Sequence, residues 1–579
     1  MVKSDSLRSV LLSLAILMAA PVAAAASPPA RPAGPEGRLA AGILISGEGF
    51  AAPVDLAAFA QPKGALAASG RLQGRLVLDV AANHLTTKLL RDAQPSDMGE
   101  RGTLPAFDFA LIQDGQTLIP AQRGLIAGSH PAWDWVLEPG RVWREAGDKG
   151  WQRAALPFAL KQHNADCVHN GVMTFLYKPG GQVSNVAVEI ASETCTNPKF
   201  DAWGVVKARF IAGAVSHARP LIAAYRREVA ARLPVRPLTD LARLYPGFNP
   251  SRLALAPTTD GDPPSAYGLV ADGVLYAGPC QTRHGDYPYC DVLDLPSYST
   301  AKSIVGAVGL MRLEALRPGV SQELIRDHVP ACAQGDAWDG VTLANALDMA
   351  TGIYNSAAYE ADENNDMGGF FRAESHADKI AYTCQHFARR AAPETTWVYH
   401  TADLYTLGAA MNDIDHKRGG KDYYDDVVQP LWRSLRLSET IMGTRRTLDA
   451  AGQPWTAFGL TYHADDIVRV AGWLSGGAKI DGKAALDPGM LAAALQRDPA
   501  RPGLDAGTGF HYKDGFWARS TAAALGCDKP LWIPFMSGFG GISVVILPRG
   551  MTYYYFGDGG VFDWTAAAVE ANKIKPMCP

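Results

Sequence analysis

The sequence lacks an excess of charge of either sign. Its 579 residues carry 54 Lys and Arg against 58 Asp and Glu, a formal net charge of -4 at pH 7. A protein that grips a phosphate backbone needs a basic surface, and this balance gives no sign of one. Nucleic acid is therefore not expected as a partner. With 47% hydrophobic residues the chain can also bury a sizeable core, which excludes extensive disorder.

Several common catalytic patterns are also absent. There is no His-Glu-x-x-His pair for zinc, no Gly-x-Ser-x-Gly turn around a serine and no Gly-Lys-Ser loop for phosphate. These absences exclude the simplest assignments to a metalloprotease, an α/β-hydrolase or a P-loop nucleotide-binding protein. No internal repeat is evident, so a solenoid is excluded as well.

Long apolar runs without charge are confined to the N-terminus. A basic stretch precedes apolar residues 10–20, and small residues precede Ser27. This pattern is typical of a cleaved export signal, and the run is shorter than the ~20 residues that span a bilayer. We expect a signal peptide over residues 1–26 and a flexible tether over 27–41. The protein would then be periplasmic or secreted, with no membrane span in the mature chain; an uncleaved anchor is the alternative.

Cysteine is scarce, but the count of eight is even. An oxidising compartment favours disulfides over free thiols, and short spacings favour pairing between neighbours. The alternative is a zinc site of His163, Cys167, His169 and Cys195, although that spacing fits no common zinc module. The sequence alone does not choose among the roughly 105 connectivities of eight cysteines, but the spacing suggests Cys167 with Cys195, Cys280 with Cys290, Cys332 with Cys384, and Cys527 with Cys578.

The patterning divides the mature chain in two. Short alternating strands predict a β-rich domain of unknown function over 42–220, with a hairpin at 172–190. A basic amphipathic helix then forms a connector over 221–237. A second domain over 238–579 has the order strands, helices, strands and closing helix, which indicates an α+β architecture. Its predicted elements are helices at 300–316, 343–349, 402–412, 464–474 and 565–573, and strands at 267–276, 541–547 and 552–556.

A serine and a lysine, Ser299 and Lys302, stand three residues apart at the start of an apolar helix. Residues i and i+3 share a helix face, so the lysine amine can reach the serine hydroxyl. Burial would lower the pKa of the amine, and the N–H groups of the first helical turn would favour a developing oxyanion. The tetrapeptide alone also fits an ordinary polar helix start, so its meaning depends on the segments that follow.

Two later segments complete a pattern. Tyr399-His400-Thr401 precedes a predicted helix, and residues 535–541, which read Phe-Met-Ser-Gly-Phe-Gly-Gly, precede an apolar strand. Supporting stretches lie at 340–353 and 465–473. On these motifs, residues from about 240 to 579 resemble the serine β-lactamase and penicillin-binding protein superfamily, especially its class C-like esterase and 6-aminohexanoate-dimer hydrolase branch.

The resemblance implies a β-lactamase-like transpeptidase fold, in which an antiparallel sheet is flanked by helices and joined to an all-helical region. It implies Ser299 as the acylated nucleophile, with Lys302 and Tyr399 as a coupled proton-transfer pair. The oxyanion would be held by backbone N–H groups, and the alternative for the glycines around residue 540 is a strand bulge. No metal or organic cofactor is implied. The residues implied in substrate binding are Thr401, Ser537, Gly538 and Phe539.

Two motif positions depart from the family pattern. Thr401 replaces the asparagine of Tyr-x-Asn, and the Lys-Thr-Gly positions read Phe-Met-Ser or Met-Ser-Gly within 535–538. In β-lactam- and peptide-processing relatives that lysine is associated with the acidic end of the substrate. We therefore expect an exported serine hydrolase that cleaves an ester or amide in a small molecule or short peptide. The alternatives are a penicillin-binding protein, β-lactamase or D-amino peptide hydrolase, and a non-catalytic binding or sensory protein.

Two further features carry weaker signals. Residues 360–366 are rich in carboxylates and partly match a calcium loop, but Ala373 stands where the twelfth-position glutamate belongs. We expect a solvated loop that borders the cleft. His400 lies next to Tyr399, and we expect it to line the cleft or lie at the surface rather than act as a base.

Overall fold

Two mainly antiparallel sheets organise the computed structural model, which describes residues 39–81, 84–92, 98–255, 263–498, 500–507 and 509–579. The predicted signal peptide and most of the predicted tether lie outside these ranges. At the end of the tether segment, Leu39 is buried and a helix runs over Ala41–Ser46. Residues 38–579 cluster as one unit, and the domain boundaries at 220 and 238 stay a prediction.

The first sheet accounts for the predicted β-rich region. Its central strands pair antiparallel with their neighbours in the chain. In the described part of the chain it has 13 strands: Leu66–Ala67, Gln73–Leu78, Thr86–Arg91, Phe107–Asp114, Thr117–Pro120, Gly124–Ile126, Trp133–Leu137, Gly140–Arg144, Gln152–Gln162, Val168–Tyr177, Val186–Thr194, Lys199–Val206 and Ala208–Ala212.

The predicted hairpin is confirmed as Val168–Tyr177 paired with Val186–Thr194. Every residue of its first strand is buried. Since side chains alternate between the two faces of a sheet, both faces of this strand are covered. Met173 and Phe175 pack into a cluster within the β-rich region, whereas Val172 and Leu176 belong to the large core shared with the C-terminal part. The β-rich sheet therefore packs one face directly onto the rest of the protein.

The second sheet belongs to the C-terminal part. The predicted strand 267–276 is wrong in one respect: Asp272 and Gly273 both have left-handed backbone angles, which fold the segment into a tight hairpin. Among the described residues this sheet has nine strands: Val235–Pro237, Ala266–Ala271, Val274–Ala277, Leu504–Asp505, Phe510–Lys513, Phe516–Ser520, Trp532–Gly538, Ile542–Leu547 and Met551–Phe556.

Helices cover the second sheet and fill the chain between its early and late strands, so the predicted α+β class is confirmed. No helix in the described ranges is long and apolar enough to cross a membrane. The helices that follow Ala41–Ser46 are Ala218–Ala231, Thr239–Leu244, Val308–Leu316, Ile325–His328, Leu343–Leu347, Ala361–Asn365, Gly368–Arg372, His376–His386, Thr401–His416, Gln429–Ser434, Ala464–Ser475, Pro488–Ala494, Ala522–Leu525 and Thr565–Ile574, with π-helical turns at Lys302–Ala307 and Tyr424–Val428.

All four predicted disulfides are present, and they leave no free cysteine among the described residues. The zinc alternative is wrong because Cys167 and Cys195 are bonded to each other. Disulfides of this number are typical of proteins that fold in an oxidising compartment.

Buried ion pairs join the β-rich region to the C-terminal part. The guanidinium of Arg445 pairs with Asp134 and donates to the carbonyls of Lys161 at 3.1 Å and Ala165 at 3.3 Å. The side chain of Arg445 is 4% exposed and that of Asp134 is fully buried. Loss of one partner would leave the other charge buried without compensation, which is far costlier than loss of a surface pair.

We predict that Arg445→Met lowers the free energy of unfolding by about 3–5 kcal/mol, because Asp134 loses its countercharge in the interior. The measurement is urea unfolding followed by tryptophan fluorescence. Arg75→Met is the matched control, since the Arg75–Asp108 pair is 53% and 44% exposed and should contribute less than about 1 kcal/mol. Equal losses in the two variants would contradict the prediction.

Candidate active site

Ser299 lies in a tight turn between a short strand and the helical segment that begins at Lys302. The turn is closed by the bond from Thr300 N–H to the Ser297 carbonyl at 3.0 Å. Lys302 is 2% exposed, and its Nζ lies 2.8 Å from Ser299 Oγ. The lysine amine therefore reaches the serine hydroxyl, as the three-residue spacing predicts.

Lys302 has a second partner on a separate helix. Its Nζ lies 2.9 Å from Thr401 Oγ1, at the start of the helix Thr401–His416. Thr401 in turn gives both its N–H, at 3.0 Å, and its hydroxyl to the carboxylate of Glu363. A continuous chain of polar contacts therefore runs from Ser299 through Lys302 and Thr401 to Glu363.

Glu363 is a site residue that the sequence analysis does not single out. It lies in the acidic segment that was expected to be solvated, where it is one of several neighbouring carboxylates. Asp362 next to it is buried and accepts the N–H groups of Asn355 at 2.7 Å and Ser356 at 2.8 Å, which fixes the loop. Nothing in the local sequence distinguishes Glu363 from its neighbours, because its partner Thr401 is 38 residues away.

Tyr399 reaches the same point from the other side. Its aromatic ring lies under the amine, with Lys302 Nζ 4.8 Å from the ring centroid, and its hydroxyl interacts with Ser299. Three groups that are distant in sequence, the Ser299 hydroxyl, the Lys302 amine and the Tyr399 phenol, therefore converge.

Burial shifts the pKa values of Lys302 and Tyr399 in opposite directions. It lowers the pKa of Lys302 to about 8, although the negative charges of Glu363 and Glu360 act in the opposite direction. Burial also raises the pKa of Tyr399 well above its usual value, and Glu363 adds to that rise, while the hydrogen bond with Ser299 opposes it. Near neutral pH the amine is thus the group that can lose its proton, and the phenol keeps its own. Of the predicted proton-transfer pair, Lys302 is thus the group suited to accept a proton and Tyr399 the group suited to donate one.

The turn after the strand Trp532–Gly538 lies against the turn that carries Ser299. A Cβ added to Gly538 would lie 3.0 Å from the Ser297 carbonyl oxygen and 3.2 Å from Tyr298 Cβ. A side chain at Gly538 would press on the turn that carries Ser299, and the following residue, Phe539, packs beside Tyr298. The glycines at 540 and 541 form the hairpin turn to the strand Ile542–Leu547, and are not a bulge.

The remaining predicted substrate contacts differ in their surroundings. Phe539 is 58% exposed, and its ring centroid lies 5.7 Å from that of Tyr298. Ser537 donates its hydroxyl to the Ile542 carbonyl at 3.3 Å, within its own hairpin. Met536, at one of the positions considered for the family's lysine, is fully buried.

Aromatic side chains form the wall beside Tyr399. The ring of Trp517 stacks on that of Tyr399 at 5.9 Å and meets that of Trp397 at 5.2 Å. Tyr359 extends this wall outward, since its ring lies 6.3 Å from Trp397 and the residue is 60% exposed. The result is an aromatic surface that runs from the buried phenol to solvent.

His400 is buried, so the expectation that it lines the cleft or lies at the surface is wrong. It is 1% exposed, and its Nδ1 lies 2.9 Å from Asp403 Oδ1. One partner is local, since Asp403 lies in the first turn of the following helix, and the other, the ring of Phe387, comes from a separate segment.

The carboxylates of 360–366 do not form a metal-binding group. Within the described residues, the side chains close enough to do so are Glu138, Asp294 and His463, in the interior elsewhere. Burial disfavours the charged form of His463, but Glu138 and Asp294 raise its pKa to about 9. A protonated imidazole thus supplies positive charge beside Glu138, while burial holds the pKa of Asp294 well above its usual value.

Comparison with known proteins places this site in a family. Residues 295–560 match the model of the Beta-lactamase family, and the matched stretch contains Ser299, Lys302, Tyr399 and Phe539. A comparison with curated proteins found no match.

Several solved structures have a partial likeness to the chain. A protein from Bacillus anthracis, provisionally named a 6-aminohexanoate-dimer hydrolase, is 16% identical over 54% of this chain and 79% of its own, with a TM-score of 0.40. A class C beta-lactamase is 14% identical over 54% of this chain and 91% of its own, with a TM-score of 0.38. A family VIII carboxylesterase is 13% identical over 61% of this chain and 97% of its own, with a TM-score of 0.38.

The match of the family model extends from the strand Leu295–Pro296, just before the turn that carries Ser299, to the final hairpin of the second sheet. The β-rich sheet lies wholly outside it. The segment 295–560, which contains the Ser299 site, therefore matches the Beta-lactamase family.

Proposed function

We propose that this protein is an exported serine hydrolase that cleaves an ester or amide through an acyl-enzyme on Ser299. The observation that carries the proposal is the 2.8 Å separation between Ser299 Oγ and a buried lysine amine whose pKa is about 8. A serine hydroxyl is a weak nucleophile until a nearby base takes its proton. An amine that is partly neutral near physiological pH is suited to that task.

Acylation begins when Ser299 Oγ attacks the carbonyl carbon of the substrate and gives its proton to Lys302 Nζ. The new C–O bond moves the carbonyl electron pair onto oxygen, where the N–H groups of Ser299 and Phe539 would stabilise the oxyanion. Collapse of the tetrahedral intermediate breaks the bond to the leaving group. The Tyr399 hydroxyl is placed to protonate that group and to regain its proton from the Lys302 ammonium.

Deacylation repeats these steps with water as the nucleophile. Water loses a proton to the same pair of groups, attacks the acyl carbon and forms a second oxyanion. Collapse then breaks the Ser299 ester, returns a proton to Ser299 Oγ and releases the acid. Division of one difficult displacement into two easier ones is the usual benefit of a covalent intermediate.

The lining of the cleft favours a neutral, partly aromatic or apolar substrate. Tyr359 and Phe539 are exposed aromatics near the site, and Met536 is buried at a position considered for the family's lysine. The carboxylates of Glu360 and Glu363 lie close enough to influence the pKa of Lys302, and they would repel an anionic substrate. An ester or amide without a carboxylate near the scissile bond fits this surface better than a β-lactam or a D-Ala terminus.

Export is supported by two separate features. Four disulfides are typical of an oxidising compartment, and the sequence of residues 1–26 has the pattern of a signal peptide. We therefore place the enzyme in a periplasm or the medium.

Ser299→Ala is predicted to abolish both p-nitrophenyl ester hydrolysis and covalent labelling by a fluorophosphonate probe, because it removes the proposed nucleophile, and the other hydroxyl beside Lys302, that of Thr401, already donates to Glu363. The measurement is labelling followed by intact mass, with circular dichroism to check folding. Ser356→Ala, in the loop beside the cleft, is the matched control and should label like the wild type.

Three results would redirect the assignment. Labelling that persists in Ser299→Ala would exclude this nucleophile. Rapid nitrocefin turnover or penicillin labelling, with little ester cleavage, would favour a β-lactamase or penicillin-binding protein. A folded wild type that takes no label from either probe would favour a binding or sensory protein.

The acylation rate is predicted to rise with pH through a midpoint near 8, since the neutral form of Lys302 accepts the proton and its pKa is about 8. Glu363→Gln removes a negative charge that raises this pKa, so the midpoint should move to lower pH. Stopped-flow acylation over a pH series measures the midpoint, which does not depend on the active fraction of the sample.

Asp366→Asn is the control for the Glu363 variant, because Asp366 lies in the same loop and its carboxylate accepts from Asn355 Nδ2 at 3.2 Å. Its midpoint should equal that of the wild type. A midpoint that stays fixed or moves upward in Glu363→Gln would contradict the role assigned to this carboxylate.

A further inference from the structure

A carboxylate from the β-rich region holds the turn that presents Ser299. Asp166 is 3% exposed, and its Oδ2 accepts the N–H of Tyr298 at 2.7 Å and the N–H of Gly459 at 3.1 Å. The hydroxyl of Ser297 lies 3.3 Å from the same oxygen. One carboxylate oxygen, 131 residues or more away in the chain, is thus shared by three groups at the base of the nucleophile turn.

The residue that Asp166 binds has an unusual backbone. Tyr298 has φ of 39°, in the left-handed region that residues other than glycine rarely adopt. The peptide that follows Tyr298 carries the N–H of Ser299, one of the two groups proposed to stabilise the oxyanion. The conformation of Tyr298 therefore sets the direction of that N–H, and the bond to Asp166 holds the conformation.

The charge of Asp166 is itself compensated from the β-rich region. Lys161 Nζ lies 2.7 Å from Asp166 Oδ1, and both side chains are buried. The same amine donates to the Leu460 carbonyl and to Thr461 Oγ1, each at 2.8 Å. Because the strand at 461–462 pairs with the strand at 295–296, the Lys161–Asp166 pair fixes the segment on both sides of the turn.

The next residue of the β-rich region also reaches the turn. Cys167 is bonded to Cys195, and its Sγ lies 3.4 Å from the Tyr298 hydroxyl. Tyr298 in turn packs on Phe539, which carries the second proposed oxyanion donor. The β-rich region thus supports both donors through Tyr298, that of Ser299 through the tyrosine backbone and that of Phe539 through the tyrosine ring.

We infer that the β-rich region is a built-in part of the catalytic apparatus, in which Asp166 acts as a positioning residue for the oxyanion-binding N–H of Ser299. The inference rests on the proposed acyl-enzyme function and deepens it. Asp166 acts through Tyr298 and does not touch the substrate. Loss of Asp166 should therefore reduce the stabilisation of the transition state more than it reduces the affinity for the substrate.

The test compares three variants in hydrolysis of p-nitrophenyl butyrate. Asp166→Ala should lower kcat by about a hundredfold with KM almost unchanged, as expected when an oxyanion donor is displaced. Asp166→Asn should lose less, because its amide oxygen still accepts the N–H of Tyr298. Asp201→Ala is the matched control, since Asp201 is also 3% exposed in the β-rich region but binds Arg283 and His284.

Phenylboronic acid adds a readout that a loss of stability would not move. It forms a tetrahedral adduct on a serine nucleophile and so reports on the oxyanion donors. Its affinity should fall in Asp166→Ala in parallel with kcat, while Asp201→Ala should keep both within about threefold despite a lower melting temperature. The Asn variant provides the same comparison if the Ala variant does not fold.

Two outcomes would overturn the inference alone. A folded Asp166→Ala with kcat and boronate affinity near those of the wild type would show that the turn carrying Ser299 keeps its conformation without Asp166. Equal losses in Asp201→Ala would show a general effect of stability. If the wild type shows no turnover that depends on Ser299, the proposed function fails first and the inference fails with it.

Discussion

Burial of the Lys302 amine against the Ser299 hydroxyl is the constraint on which the rest of the site depends. Removal of an ammonium from water disfavours its charged form, and this lowers the pKa of Lys302 to about 8. Buried polar groups are hydrogen-bonded, and the amine has partners from the protein on two sides. Thr401 supplies one such bond, and Glu363 behind it limits how far the pKa falls. The pKa of Lys302 is therefore set by two opposing effects: burial lowers it, and the negative charge of Glu363 raises it.

Local spacing made part of this arrangement predictable. Ser299 and Lys302 are three residues apart, and helix geometry alone places them on one face. The disulfides were predictable for a similar reason, since each cysteine pairs with its neighbour in the chain. The hairpin at 168–194 and the α+β order followed from periodicity. The Ser299–Lys302 pair and the hairpin are contacts within one element or between adjacent ones, whereas the disulfides follow the order of the cysteines along the chain.

What the sequence could not predict depends on contacts between distant segments. Glu363 and Asp166 each stand among other acidic or polar residues, and only the fold brings them to Thr401 and Tyr298. His400 was misjudged because its direction depends on the packing of Asp403 and Phe387 around it. Residue type and spacing restrict the chemistry of a site, whereas the partners that tune it are fixed by tertiary structure.

The left-handed Tyr298 shows why the two sheets are energetically linked. A strained backbone of this kind costs about 1–3 kcal/mol and persists only where the surroundings enforce it. A hydrogen bond to a buried carboxylate contributes about 1.5–3 kcal/mol, which is of the same size. The acceptor comes from the β-rich region and the strained residue from the segment that matches the Beta-lactamase family. The geometry of the nucleophile turn is therefore only as stable as the contact between the two parts, and separation of the parts would remove the bond that offsets the strain.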